Sequence, residues 1–263
     1  DNQISSFLHE GAYSLLYYGN RFMNMPLGIF GVALSTVLLP HFSRIALFAP
    51  KRLSFYLVEV AKFVTWVIVP STLFLFFIAH KIFFHMLSKP ENIAEASGIL
   101  IFYSAGLVFF CFNKILINMF YAMRDTWSPT IASIIATVAN LFFNIIGMYF
   151  FGSFGIAAST SISGVILTGM CLFYLRKKHK FRFYSGSYLL FWSRYAGQLT
   201  AGISLFLASY YAFLQLCSLA GWHSFFYIRW GYWLFTIPLF LSTMVFMFYT
   251  KNFFRIKLYF LNK

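Results

Sequence analysis

Long apolar runs constrain this chain more than any other feature of its sequence. Seven stretches each hold about 20 or more mostly apolar residues, the length at which a helix crosses a hydrocarbon core about 30 Å thick. Because the stretches are continuously apolar, they favour helices over the alternating strands of a β-barrel. The runs lie at 12–39, 56–80, 97–122, 129–151, 154–175, 190–217 and 225–250, and residues 1–8 look like the tail of an earlier span.

The composition of the chain indicates a membrane environment, and the distribution of its charges argues against a nucleic-acid partner. Hydrophobic residues make up 60% of the sequence and charged residues only 10%, which predicts an all-α polytopic bundle embedded in a membrane. A net charge of +14 could suit nucleic acid, but the basic residues fall in short gaps between apolar runs, without a basic and aromatic recognition module. No nucleic-acid partner is therefore expected.

Basic residues alternate between the gaps of the predicted bundle. Thirteen fall in every second gap and in the C-terminal tail, and two, Lys81 and Lys89, fall in the others. This positive-inside pattern predicts a cytoplasmic C-terminus and places residues 1–10 outside. The thirteen are Arg44, Lys51, Arg52, Arg124, Arg176, Lys177, Lys178, Lys180, Arg182, Lys251, Arg255, Lys257 and Lys263. An odd number of spans that starts outside, without an initiator Met or a signal peptide, predicts the C-terminal part of a longer chain.

Arg21 is a charged residue about ten positions inside the first apolar run, with no acidic residue beside it. A charge at the centre of a spanning helix costs roughly 2.5–3.5 kcal/mol even on lenient insertion scales. Such a residue needs a polar cavity, a partner or an anionic substrate. Arg21 is therefore a candidate functional residue.

Three stretches of the sequence resemble a known family. Residues 11–40, GAYSLLYYGNRFMNMPLGIFGVALSTVLLP, closely resemble the eighth-helix signature of the MurJ (MviN) lipid II flippases. Residues 114–129, which contain FYAMRD, are similar to the family's K…FYAxxD…P segment, and residues 155–162, GIAASTSI, resemble its GlAlatsi helix. The resemblance extends in detail to about residue 180, and the last two spans match by position and hydropathy.

The resemblance implies a fourteen-helix transporter of the MOP superfamily, with a MATE-like fold, in the bacterial inner membrane. Residues 1–180 would form the C-terminal lobe, from the end of helix seven to helix twelve, and residues 181–263 two additional helices, thirteen and fourteen. The implied activity is the movement of lipid II, the undecaprenyl-diphosphate-linked peptidoglycan precursor, from the inner to the outer leaflet for cell wall biosynthesis. The implied partners are lipid II, the N-terminal half of the same flippase and the cell-wall synthesis machinery, with no cofactor and no enzymatic reaction.

Arg21 falls on the essential cavity arginine of the resembled family, so it is expected to bind the substrate diphosphate. The planar guanidinium fork matches diphosphate oxygens in a way that a lysine does not. The chain departs from the family beside this residue, because Asn20 replaces a common Asp and Asn24 replaces a frequent Glu or Gln. The helix therefore lacks the carboxylate that would couple a cation there.

Polar residues follow helical spacing in three of the spans, since positions three and four apart share a face. One stripe runs along 129–151, a second contains Ser104 and Cys111, and a third surrounds Arg21. Such stripes either line a water-filled cavity or serve helix packing, and Lys114 either lines the cavity or snorkels to the cytoplasmic end. The candidate cavity-lining residues are Tyr17, Asn20, Asn24, Lys114, Asn118, Thr137, Asn140 and Asn144.

Several other residues are expected to have structural roles. Asp125 lies in a short turn before the fourth span, where it would cap the next helix or form a gate ion pair. Prolines inside the spans are expected to kink them, and basic residues near span ends to act as interfacial anchors. The prolines are Pro26, Pro70 and Pro238, and the anchors are Lys62, Arg194 and Arg229.

The sequence lacks the usual signatures of an enzyme. Its six histidines are scattered, with no HExxH pair or carboxylate cluster, and no Gly-rich phosphate loop is present, so neither a metal site nor ATP hydrolysis is expected. The three cysteines lie in spans and are expected to be buried thiols.

The expected mechanism is alternating access between two helical bundles. Two other functions remain open at this point. A MOP exporter of another cargo, such as a lipid-linked glycan or a cationic drug, would use the same fold, although a drug antiporter would need an intramembrane carboxylate. Only Glu59 and Glu95, both near span ends, are available. A non-transporting membrane scaffold would tolerate the loss of Arg21.

Overall fold

Seven helical spans make up the part of the chain that the structure describes. The computed structural model describes residue 8 and residues 11–87, 89–181, 185–222 and 231–256. The seven predicted apolar runs are confirmed as helices of spanning length over the described residues. The start of the seventh run, 225–230, and almost all of the tail predicted at 1–8 lie outside the described residues. The spans are Ala12–Phe48, Leu53–Met86, Pro90–Ala122, Trp127–Phe151, Ser153–Lys178, Tyr188–Leu219 and Gly231–Thr250.

Nine α-helices form these spans, because the first and the third span are each interrupted. The helices are α1 Ala12–Pro26, α2 Ala33–Phe48, α3 Leu53–Met86, α4 Pro90–Ala105, α5 Leu107–Ala122, α6 Trp127–Phe151, α7 Ser153–Lys178, α8 Ser185–Leu219 and α9 Gly231–Thr250. A π-helical segment, Leu27–Val32, joins α1 to α2, and a 3₁₀ turn, Pro50–Arg52, precedes α3.

The interruption of the first span begins at Pro26, the last residue of α1. Proline has no N–H to donate to the carbonyl four residues earlier, which loosens the helical ladder at this point. The wider π-helical segment follows directly after this proline. Gly31 of that segment lies so close to α5 that a Cβ on Gly31 would stand 3.1 Å from Cys111 Sγ. By contrast, α3 continues through Pro70 and α9 through Pro238.

The third span breaks at Gly106, between α4 and α5. Ser161 of α7 donates its hydroxyl to the carbonyl of Phe102 at 2.6 Å, which satisfies an acceptor near the break. A Cβ at Gly106 would lie 2.7 Å from Ser161 Oγ, so the close approach of α7 requires a glycine.

The chain divides into two compact units, residues 1–183 and 184–263. In the first unit, α6 and α7 form a hairpin whose backbones meet at Gly147 and Gly155, where a Cβ on Gly155 would collide with the carbonyl of Gly147. Close backbone approach of this kind drives helix association in lipid, where burial of apolar surface contributes little. In the second unit, Gln198 of α8 donates to the carbonyl of Met247 on α9.

The expected interfacial anchors have different outcomes. Lys62 was expected near a span end, but it is buried in α3 and donates to Glu59 Oε1 at 2.6 Å, one helical turn earlier, so the prediction is wrong. The cost of burying either charge alone explains why the two are paired. Arg194 donates to the backbone carbonyl of Arg255 at 2.9 Å, and Arg229 lies outside the described residues.

The cysteine prediction is confirmed. Cys111, Cys171 and Cys217 are free thiols and all three are buried. Among the described residues, no group of three or more histidine, cysteine, aspartate or glutamate side chains is placed to hold a metal ion.

Candidate functional site

Arg21 projects from the open side of α1. The opposite side of this helix packs against α4, and its backbone approaches so closely that a Cβ on Gly19 would lie 2.7 Å from Ile99 Cγ2. Met23 is buried on the same side as Gly19. Since each helical residue advances by about 100°, a position two residues from both Gly19 and Met23 faces the other way. Packing of α1 on α4 therefore fixes Arg21 on an exposed face.

The guanidinium of Arg21 has an aromatic neighbour one turn earlier. Arg21 Nη1 donates to Tyr17 Oη at 3.0 Å, and Arg21 Cζ lies 5.9 Å from the centre of the Tyr17 ring. The Tyr17 ring in turn stacks on that of Tyr13, with ring centres 6.5 Å apart. No acidic side chain in the described part of the chain forms an ion pair with Arg21. The guanidinium of Arg21 is thus held by Tyr17 while its positive charge is not neutralised, which is what an anion-binding site requires.

The two asparagines of this face bind each other. Asn24 Nδ2 donates to both the side-chain and the backbone oxygen of Asn20, with 3.0 Å to the backbone oxygen. Asn24 is exposed and Asn20 half-buried, so both lie on the side of α1 that carries Arg21. Four predicted site residues, Tyr17, Asn20, Arg21 and Asn24, are thus brought together on one helix face.

On α5 the two predicted residues have different surroundings. Lys114 is exposed, whereas Asn118 is half-buried and donates its amide to the carbonyl of Ser35 on α2 at 2.7 Å. Ser104 and Cys111, which belong to the same predicted stripe, are both fully buried, so this part of the stripe serves helix packing. Cys111 is covered by the π-helical segment, because a Cβ on Gly31 would stand 3.1 Å from Cys111 Sγ.

The polar stripe on α6 is exposed in its first part and buried towards its end. Thr137 is exposed and donates its hydroxyl to the carbonyl of Ser133 at 2.9 Å. Further along, Asn140 Nδ2 lies 3.4 Å from Ser163 Oγ of α7, and Asn144 Nδ2 donates to Asn140 Oδ1 at 3.0 Å. Asn144 is only 1% exposed, so it lies within the contact between α6 and α7 rather than on an open face. Cavity lining by this stripe stays a prediction.

Asp125 is the centre of a polar cluster that the sequence revealed only in part. Its Oδ1 accepts the backbone N–H of Ser128 at 3.2 Å in the first turn of α6, which confirms the capping prediction. Its Oδ2 also accepts the Ser128 hydroxyl at 2.7 Å and lies 2.9 Å from both Lys178 Nζ and His179 Nε2. Asp125 therefore forms an ion pair as well, and a gating role for that pair stays a prediction. Lys178 and His179 were visible in the sequence, but only as part of a basic segment.

The electrostatics of this cluster follow from its contacts. Burial by itself would raise the pKa of the Asp125 carboxyl, but hydrogen bonds from Ser128, His179 and Lys178 outweigh burial and hold the pKa well below its usual range. The carboxylate is thus ionised at any physiological pH, and it ties the α5–α6 turn to the end of α7.

Comparison of the sequence with models of known protein families shows to which family the chain belongs. The family model described as lipid II flippase MurJ matches residues 1–239, which is most of the sequence. The chain belongs to the MurJ family. The matched region includes the polar face of α1, so Arg21 lies within the part of the chain that the MurJ model describes.

Curated MurJ relatives agree with this assignment. A probable lipid II flippase MurJ of Vibrio cholerae is 34% identical over 66% of this chain and 34% of its own length. A probable lipid II flippase MurJ of Haemophilus influenzae is 29% identical over 89% of this chain and 47% of its own length. The chain therefore spans less than half the length of either relative.

The fold of a solved MurJ structure matches as well. A chain described as lipid II flippase MurJ in an inward closed conformation superposes with a TM-score of 0.72, covering 96% of this chain and 49% of that one. At 24% identity this likeness concerns the fold alone. The expected all-α polytopic bundle with the transporter fold of this family is confirmed.

Proposed function

We propose that this chain supplies the C-terminal half of a lipid II flippase and that Arg21 binds the diphosphate of the undecaprenyl-linked peptidoglycan precursor. One observation carries the proposal. The guanidinium of Arg21 stands exposed and without an acidic partner in the described part of the chain, on a polar face of a spanning helix, in a member of the MurJ family. A charge retained at such a position needs an anion to compensate it.

The geometry around Arg21 suits reversible binding. Tyr17 holds the guanidinium from one side and leaves its remaining N–H groups for the two phosphate groups of a diphosphate. Because Arg21 lies on an open face, a ligand can leave it without unfolding the helix. The headgroup would move along the polar face while the polyprenyl tail stays in the lipid, as alternating access requires.

The membrane potential can contribute to export in this scheme. We place the basic end of the bundle in the cytoplasm of a bacterium, with the chain in the inner membrane and its C-terminus inside. A potential that is negative inside then favours outward movement of an anionic headgroup by roughly 2.3 kcal/mol per charge per 100 mV. Asn20 and Asn24 add no carboxylate beside Arg21, so this face does not need a bound cation to become neutral.

The proposed activity requires partners beyond this chain. MurJ relatives are two to three times as long as the part that matches, so we propose that the segment equivalent to their other half completes the substrate path. Basic residues of that half would share the diphosphate with Arg21. Transfer of the exported precursor to the cell-wall synthesis machinery would follow on the outer side.

The proposal is tested in bacteria depleted of their own flippase. The chain is expressed together with the N-terminal half of a relative, as parent, as Arg21→Ala and as Arg44→Ala, which removes an exposed arginine near the end of the same span. Lipid-linked precursor and membrane levels of the protein are quantified. We expect the parent and Arg44→Ala to rescue growth, and Arg21→Ala to accumulate precursor at normal protein levels. Rescue by Arg21→Ala would contradict the role of Arg21, and a parent that never rescues would favour another lipid-linked cargo.

Export of a cationic drug has less support. Such transport would need a free carboxylate within the membrane, but Glu59 accepts a hydrogen bond from Lys62 and Glu95 accepts one from Ser153 at 2.6 Å. Neither carboxylate is placed on the polar face that carries Arg21.

A further inference from the structure

Four helix ends of the first unit meet around an open cavity that is separate from the Arg21 face. The cavity has a volume of about 380 Å³, within the usual range of roughly 300–1,000 Å³ for small-ligand pockets. It lies where α2, α5 and α7 end and where α3 begins. These ends are rich in basic residues, so the cavity opens at the charged boundary of the spanning region rather than at its centre.

The lining of the cavity is amphipathic. Six of its eight lining residues are apolar, and they are Ala46, Leu47, Leu53, Ala122, Met123 and Phe181. The other two are Arg124 and His179. The ring of His179 is already engaged by the carboxylate of Asp125 at 2.9 Å. Arg124 has no ion pair within the described ranges, so it is the lining residue whose positive charge is available to a ligand.

The backbone at Arg124 has a conformation that glycine usually supplies. Arg124 lies two residues after the end of α5 and has φ of 59°, in the left-handed region that strongly favours glycine. The surrounding hydrogen bonds, from Arg124 N to Tyr121 O and from Asp125 N to Phe120 O, form the Schellman motif in which glycine is usual. Lys180 and Arg255 have the same left-handed conformation, so this backbone does not by itself assign a function, but it makes Arg124→Gly a substitution that adds no backbone strain.

The electrostatic balance of the cavity is positive. Three helix C-termini and one helix N-terminus lie at the cavity. Each C-terminus is equivalent to about half a negative charge and the N-terminus to about half a positive charge, so the helix dipoles together disfavour an anion by about one charge. Arg124 offsets this on its own. Lys51, Arg52 and Lys180, which are exposed and lie within two positions of a lining residue, add three more positive charges, and the nearby Asp125 carboxylate is balanced by Lys178.

We infer that this cavity binds an anionic phospholipid, with the phosphate diester of the headgroup at Arg124 and the upper part of an acyl chain against the apolar wall. A soluble anion would use the arginine but not the six apolar residues. A neutral lipid would use the apolar residues but leave Arg124 without a partner. Basic pockets between spanning helices at a membrane boundary are typical sites for anionic headgroups.

The test measures lipid retained by the purified full chain, so it is independent of any transport activity. The protein is delipidated in detergent and titrated with phosphatidylglycerol or phosphatidylcholine, and bound lipid is counted by native mass spectrometry. We compare the parent with Arg124→Gly, which removes the guanidinium and also eases the backbone, so that a loss of lipid cannot reflect a destabilised fold. Arg255→Gly is the matched control, because Arg255 is also exposed, has φ of 53° and lies in a turn after α9 with an equivalent pair of backbone hydrogen bonds, but in the other unit.

We expect the parent to prefer phosphatidylglycerol, Arg124→Gly to lose about fivefold or more of that affinity, and Arg255→Gly to match the parent. Leu47→Trp, which fills the cavity mouth without changing charge, should weaken binding as well. Equal retention of both lipids by the parent, or an equal loss in both glycine variants, would overturn the proposal. Displacement of phosphatidylglycerol by inorganic phosphate at similar concentration would also overturn it, because the site would then be one for a free anion.

Discussion

The guanidinium of Arg21 donates a hydrogen bond of 3.0 Å to the phenol oxygen of Tyr17, one helical turn away. This contact limits the directions in which the guanidinium can face, so Tyr17 acts as a positioning residue for the proposed diphosphate site. We predict that Tyr17→Phe retains the protein in the membrane but lowers lipid II translocation about two- to tenfold, the cost of one exposed hydrogen bond. Translocation in proteoliposomes that also contain the N-terminal half of a relative measures this.

The control for this prediction is Tyr13→Phe. Tyr13 stacks on Tyr17 but does not contact Arg21 through a hydrogen bond in the described structure, so the loss of its hydroxyl should leave translocation unchanged. If both variants lose the same activity, Tyr17 contributes to the stability of the helix face and not to the orientation of Arg21.

Asn20 offers a test of the charge on the Arg21 face. Its side-chain oxygen accepts a hydrogen bond from Asn24, and an aspartate could accept the same bond. We therefore expect Asn20→Asp to fold normally while it places a negative charge beside Arg21, which weakens binding of a soluble diphosphate analogue severalfold at low salt. Added salt should reduce the difference, because screening acts on exposed charges. Titration calorimetry at two salt concentrations distinguishes this from a structural defect, whose effect would not depend on salt.

Asp125 links the start of α6 to the end of α7. Because its pKa is held below the usual range, the unfolded state binds more protons at acidic pH, and the free energy of unfolding rises with pH there. This contribution is complete above about pH 4, the range of an unfolded aspartate, and is lost as the pH falls through the lower folded value. We predict that Asp125→Asn lowers the free energy of unfolding by about 1–3 kcal/mol at neutral pH.

Thermal unfolding in detergent at about pH 6 and about pH 3 measures the effect of Asp125. The parent should lose more stability than Asp125→Asn between these two conditions, since the variant lacks the titrating group. Glu91→Gln serves as the control, because Glu91 is an exposed acid in the first turn of α4 and should cost only a few tenths of a kcal/mol. An identical pH dependence in the parent and Asp125→Asn would contradict the assignment.

The sequence predicts the spans well because bilayer thickness sets their length, independently of tertiary contacts. It does not predict the break at Gly106, which depends on a hydroxyl of Ser161 more than fifty positions later. The buried pair of Glu59 and Lys62 was visible as a spacing of three residues. Distance from the span end favoured an interfacial interpretation, and only the packing of the other helices around α3 explains why both side chains are buried.

In the candidate site, too, the sequence predicts features within one helix but not features that depend on a neighbouring helix. The residues around Arg21 lie within one helix, so helical spacing alone predicts that they share a face. The stripe on α6 obeys the same spacing, yet Asn144 is buried while Thr137 is exposed, because α7 covers only one end of the stripe. Which part of a polar stripe is covered depends on a neighbouring helix, and periodicity within one helix contains no information about that.

The contact between α6 and α7 depends on two glycines, Gly147 and Gly155. A methyl group on Gly155 would collide with the carbonyl of Gly147, and neither backbone can yield without separating the two helices. We predict that Gly155→Ala lowers the free energy of unfolding by about 1–3 kcal/mol and reduces the amount of folded protein in the membrane. Gly169→Ala in the same helix is the matched control, because a Cβ there meets no atom within 4 Å and alanine is the better helix former. Thermal unfolding of the two variants in the same detergent measures the difference, and equal midpoints would show that α6 and α7 can separate without loss of stability.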